Sequence, residues 1–161
     1  MPLPSVYLET TILSYLTSLP SRDLVRAAHQ HLTVEWWAQR KRFDLMVSEA
    51  VLREIARGDS QAAARRIAAT EGMVVLKATP EAKDLAYAFL RESAIPPKAA
   101  MDAVHVAIAT VHGVNYLLTW NCTHIANAAM RERLEEVCRN QGFKPPVICT
   151  PEELIAQEGP S

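Results

Sequence analysis

Short apolar runs alternate along the chain with longer stretches of helical period. The runs at Ser5 to Leu8, Phe43 to Val47, Met73 to Leu76, Val114 to Leu118 and Val147 to Cys149 have the length of buried strands. A helix is predicted over Asp23 to Arg40, and the stretch Ser48 to Ala69 reads as two shorter helices broken at Gly58. Thr79-Pro80-Glu81 supplies an N-cap, a proline at the first helical position and an acidic first turn, which opens a helix running to about Ser93. Pro96-Pro97 ends that segment and starts another helix, from Pro97 to Val111. Its apolar residues, Met101, Val104, Val106 and Ile108 among several alanines, occupy nearly every face, so it is predicted to be buried. Asn127 to Arg139, with Leu134 and Val137 on one face, reads as an amphipathic surface helix. This alternation predicts an α/β fold, a three-layer α/β/α sandwich with a central parallel sheet of four or five strands, formed by residues 1–161 as a single domain.

Composition narrows the classes. The 161 residues carry 17 Lys and Arg against 18 Asp and Glu, so overall charge offers no general attraction to nucleic acid and any such contact has to be local. A chain of this length buries enough surface to fold without disulfides or structural zinc. Cys122, Cys138 and Cys149 form neither a CxxC pair nor an even set, which points to a reducing, cytoplasmic setting. The start of the sequence lacks the basic and apolar regions of a signal peptide, and no run is long and apolar enough for a membrane span.

The carboxylates carry the candidate chemistry. Asp102 falls in the second turn of the buried helix, where an unpaired charge is costly, so it needs a cationic partner: a metal ion, or an arginine from another segment. Glu9 directly follows the strand Val6-Tyr7-Leu8, at the sheet edge where ligands gather in open parallel sheets, and Thr10-Thr11 are placed to cap the next helix. Glu54 lies beside the apolar face of the helix that Ser48 caps, whereas Glu49 is explained as a first-turn acid complementing the dipole. Thr119 and Asn121 follow the fourth strand and face Glu9 if the first and fourth strands are neighbours. Glu9, Glu54, Asp102 and Asn121 form a hard oxygen donor set, suited to Mg²⁺ or Mn²⁺ over zinc.

Further candidates for substrate contact are Thr10, Thr119, His105, Arg53 and Arg57. His105 stands one turn after Asp102 and is read first as a buried, hydrogen-bonded histidine; Arg53 and Arg57 flank Glu54. Trp36-Trp37 is read as packing in preference to a base-stacking platform. The sequence has no GxSxG elbow, no GxxxxGK[ST] loop and no GxGxxG turn, so esterase, P-loop and dinucleotide-binding readings lose their anchors.

Four segments together resemble the PIN-domain ribonucleases, which include the VapC toxins of toxin-antitoxin pairs. They are Val6-Tyr7-Leu8-Glu9-Thr10-Thr11, Val47-Ser48-Glu49 through Glu54-Ile55, Asp102-Ala103-Val104-His105, and Leu117-Leu118-Thr119-Trp120-Asn121 with His124 to Asn127. The resemblance runs from about residue 5 to residue 155 and departs from the family in two places. Glu9 replaces a usual aspartate, and Asn121 replaces a frequent one and removes a charge. The resemblance implies a PIN-like fold and a metal-dependent endoribonuclease with Glu9, Glu54 and Asp102 as catalytic and metal-holding acids and Asn121 as a neutral ligand. It also implies an RNA substrate, a cognate antitoxin and a homodimer. A rival reading, resting on Asn121, is a non-catalytic PIN-like module that binds RNA or a partner. Phosphoryl transfer through an aspartyl nucleophile is disfavoured by glutamate at the strand end.

Overall fold

The computed structural model describes residues 2–156; the outermost positions of the domain reading, 1 and 157–161, lie outside the described residues. Five strands, β1 (Ser5–Leu8), β2 (Asp44–Ser48), β3 (Val74–Leu76), β4 (Tyr116–Leu118) and β5 (Val147–Cys149), form one sheet in the order β3-β2-β1-β4-β5. Every pairing is parallel. The first and last strands fall where the hydrophobic pattern puts them, and the other three begin one or two residues later.

The helices are α1 (Thr10–Thr17), α2 (Leu24–Ala38), α3 (Glu49–Ile55), α4 (Ser60–Ala69), α5 (Pro80–Arg91), α6 (Ala100–Val111), α7 (Ala128–Asn140) and the short α8 (Pro151–Leu154). The break between α3 and α4 falls at Gly58, whose φ of +84° suits a residue without a Cβ. Pro97–Ala99 is a 3-10 turn and not the first turn of the long buried helix expected there, so Asp102 sits in the first turn of α6. Only the later part of α6 is buried on most faces, while Met101 near its start is exposed.

Right-handed crossovers place α1 to α4 on one face of the sheet and α5 to α7 on the other, because the chain moves outward from β1 to β3 and then returns past β1 to β4 and β5. The contacts α1 with α2, α3 and α4, and α5 with α6 and α7, agree with these two layers. Between them lies a core that includes Tyr7, Leu8, Phe89, Ile108, Leu117 and Leu118. Trp36 is fully buried against Phe43, and Arg40 covers the Trp37 ring, so the tryptophan pair is packing. Strand order reverses between β1 and β4, and the crevice at their carboxyl ends is the switch point at which such sheets bind ligands.

Candidate active site

Glu9 leaves β1 at that switch point. Its own side chain, and not Thr10 or Thr11, caps α1: Glu9 Oε1 accepts from the Thr11 amide at 3.2 Å and from the Thr11 hydroxyl. Thr119, immediately after β4, donates to the same oxygen at 2.7 Å. The second oxygen, Oε2, has no protein hydrogen bond among the described residues. Glu9 is 4% exposed, and burial pushes its carboxyl above the usual range even though the Thr11 and Thr119 hydrogen bonds oppose the shift.

Glu54 reaches the crevice from α3. Its Oε1 accepts from Thr10 Oγ1 at 2.9 Å and from His105 Nε2, again leaving Oε2 without a protein partner among the described residues. Burial alone acts to raise this carboxyl; the hydrogen bonds from His105 and Thr10 outweigh it and hold it below the usual range.

His105 is 1% exposed and both ring nitrogens are engaged. With the proton on Nε2 donated to Glu54, Nδ1 accepts from Tyr7 Oη, 2.7 Å away, and Tyr7 Oη accepts from Ser48 Oγ at 2.7 Å. Ser48 in turn accepts from the Val51 amide and caps α3. This accounting gives each donor one acceptor and assigns the tautomer. His105 therefore orients Glu54, and both of its ring nitrogens are taken up within the protein.

Asp102, from the first turn of α6, is half-buried and forms no salt bridge with Lys or Arg among the described residues. Burial raises its carboxyl; the neighbouring Asn121 amide and the side chains of His105 and His124 oppose the shift, and the charge of Glu54 adds to it. The arginine partner considered from sequence is thus not found among the described residues, where only the side chains of His105 and His124 offset the charge. Asn121 Oδ1 accepts from the His124 amide at 3.1 Å, which holds the turn after β4.

Glu9, Glu54, Asp102, Asn121 and Thr10 line one open cavity of about 640 Å³. Arg53 and Arg57 do not line it. Arg53 extends along the solvent face of α3 to Glu49, 3.8 Å away, and Arg57, just past the end of the helix, stays outside the lining while its charge still favours ionised Glu54. The opposite part of the lining is one the sequence reading did not assign: Ser14, Ser18, Ser21, Arg26 and Gln30, from α1, α2 and their connection. The four-residue spacing of Arg26 and Gln30 on one helix was the available signal.

Hard oxygen donors suit a divalent cation in this cavity, with Glu9 Oε2, Glu54 Oε2 and Asp102 as the free carboxylate atoms. Among the described residues, no three His, Cys, Asp or Glu side chains converge as a ready metal cluster.

No protein-family model matches the sequence, and no curated protein is significantly similar to it. Solved structures do match. Mycobacterium tuberculosis VapC20, a toxin that cleaves the sarcin-ricin loop, aligns with a TM-score of 0.58 at 19% identity over 74% of this chain and 92% of that one. VapBC2 from Rickettsia felis, solved bound to a DNA fragment from its promoter, aligns with a TM-score of 0.54 at 12% identity over 90% of this chain and 97% of that one. The five-stranded parallel sheet, the helical layers on both faces and these likenesses give the chain a PIN-like fold.

Proposed function

We propose that the protein is a Mg²⁺- or Mn²⁺-dependent endoribonuclease and acts as the VapC-like toxin of a toxin-antitoxin pair. One observation carries the reading. Three carboxylates line a single cavity at the switch point, two of them anchored through one oxygen with the other left free, and the third without a Lys or Arg partner among the described residues. Glu9 and Asp102, whose carboxyls are pushed up by burial, gain most from a bound cation.

When bound, the ion would supply Lewis acidity toward the scissile phosphate and lower the pKa of an attacking water. Glu9, Glu54 and Asp102 would hold it, Thr119 and Asn121 would support the same edge, and His105 with Thr10 keeps Glu54 ionised and oriented. The water oxygen bonds to phosphorus as the bond to one ribose oxygen breaks; the water's proton passes to a carboxylate of the cluster, and the departing ribose oxygen takes up a proton to leave as the alcohol. The solved VapBC2 complex and the uncompensated acidic charge support an antitoxin that docks at this pocket, and a homodimer belongs to the same proposal.

The decisive experiment is cleavage of an end-labelled RNA pool by wild type and Asp102→Ala, each with Mn²⁺, Mg²⁺ or EDTA. Metal-dependent cutting that disappears in the variant is expected. A folded, antitoxin-free wild type that binds RNA without cutting it would make the protein a non-catalytic module.

A further inference from the structure

The cavity has two chemically opposite walls. One is acidic: Glu9, Glu54 and Asp102, with the Thr10 hydroxyl and Asn121 beside them. The other, from the α1–α2 connection and the start of α2, presents donors.

Gln30 builds the second wall. Its amide donates to Ser18 Oγ at 2.7 Å and to the Leu19 carbonyl at 2.9 Å, and its carbonyl accepts from the Ser21 amide at 2.9 Å. Every polar atom of Gln30 is thus spent on holding the connection against α2. Ser18 and Ser21 only accept in these contacts, Ser21 from the Asp23 amide at 3.1 Å, so each hydroxyl retains a proton with no acceptor among the described residues. Arg26 stands one turn before Gln30 on the same helix face and lines the cavity. Its backbone is fixed by the Asp23 cap, at 2.9 Å, while its guanidinium makes no hydrogen bond or ion pair with the described residues. It is the sole cation of the lining.

Five guanidinium N–H groups and two hydroxyls without acceptors among the described residues, on a hydrogen-bonded wall beside an acidic cluster, form a receptor for anionic oxygen. We infer that Arg26, with Ser18 and Ser21, binds a backbone phosphate of the RNA strand next to the one being cut, and so positions the strand across the acidic cluster. This rests on the nuclease reading. Phosphate is favoured over a partner's carboxylate because the substrate of that reading must already enter this cavity, and because hydroxyls flanking the guanidinium suit a tetrahedral anion. Arg26 is a substrate-positioning residue and takes no part in bond breaking.

The test measures binding of a fluorescein-labelled single-stranded RNA pool across a salt series, with Mg²⁺, in an Asp102→Asn background that prevents turnover. Arg26→Ala should weaken binding about tenfold and lower the slope of log Kd against log salt by about 0.7, the value for one lost single-strand phosphate contact. Arg26→Lys should keep the slope and recover part of the affinity, and Arg91→Ala, at an exposed position of α5 outside the cavity, should change neither. With Asp102 intact, Arg26→Ala should raise KM and leave kcat nearly unchanged. Unaltered RNA affinity and slope in Arg26→Ala, while Asp102→Ala still abolishes metal-dependent cleavage, would overturn the assignment of Arg26 and leave the nuclease standing. Neither RNA binding nor cleavage by the parent protein would overturn both.

Discussion

Thr119 Oγ1 donates a 2.7 Å hydrogen bond to Glu9 Oε1, tying the carboxyl end of β4 to that of β1 across a sequence separation of 110 residues. The same Thr119 oxygen accepts from the Asn121 amide at 2.9 Å, so one buried hydroxyl positions both an acid of the cluster and the turn that carries Asn121. Thr119→Val preserves the shape and removes both bonds. It should cost about 1–3 kcal/mol, the range for leaving buried polar groups unpaired. Urea denaturation checks this, and a loss below about 0.5 kcal/mol, typical of a surface substitution, would mean that the bridge is dispensable.

Glu9 is expected to trade stability for function. Glu9→Gln keeps an oxygen to accept from Thr11 and Thr119 while removing a buried charge. The metal-free variant should melt at a higher temperature than wild type near neutral pH, and its metal-dependent cleavage should fall by about a hundredfold or more. Thermal unfolding in EDTA beside a cleavage assay reads both effects; a variant less stable than wild type would count against an unfavourable buried charge at Glu9.

The pH dependence has two parts of opposite sign. Glu54 has a depressed carboxyl, so its contribution is present above the ordinary value of 4.5 and is lost as pH falls through its lower folded value. Glu9 and Asp102 have raised carboxyls, so their contributions are complete below the ordinary values of 4.5 and 3.8 and are lost as pH rises through the folded values. A cation that binds the ionised cluster reverses that loss by mass action. The rise in melting temperature on adding Mn²⁺ should therefore be larger at about pH 8 than at about pH 5; an equal rise at both would place the ion elsewhere.

Restoring an acid beside Asp102 should strengthen the cation site. Asn121→Asp retains an oxygen for the His124 amide and adds a negative charge to the lining. Mn²⁺ affinity by calorimetric titration should rise about tenfold, corresponding to roughly 1.4 kcal/mol. An unchanged or weaker titration would remove Asn121 from the cation site.

His105 supports Glu54 from behind. His105→Ala leaves the Tyr7 hydroxyl without its acceptor and Glu54 without its strongest donor, and opens a void in the core. A loss of about 2–4 kcal/mol is expected in chemical denaturation. Tyr7→Phe, which removes one hydroxyl between His105 and Ser48, should cost about 1 kcal/mol and separates the network from the packing.

The linear order of residues was enough to determine the strands, most helices and the class of fold, because apolar period and capping chemistry are local. Val6-Tyr7-Leu8 ending in Glu9, and Thr79-Pro80-Glu81 opening a helix, carry their meaning within a few positions. The acidic set was legible too, since a carboxylate at a strand end or on an apolar helix has few structural reasons to be there. What each acid touches was decided by tertiary structure alone. Adjacency of β1 and β4 brings Thr119 to Glu9, and the packing of α6 over β1 and α3 aims His105 at Tyr7 and Glu54. Tertiary packing also settled the arginines: Arg53 and Arg57, close to Glu54 in sequence, lie outside the cavity lining, while distant Arg26 lines it. Side-chain direction at a site built from five segments depends on how those segments pack, and spacing along one of them cannot supply it.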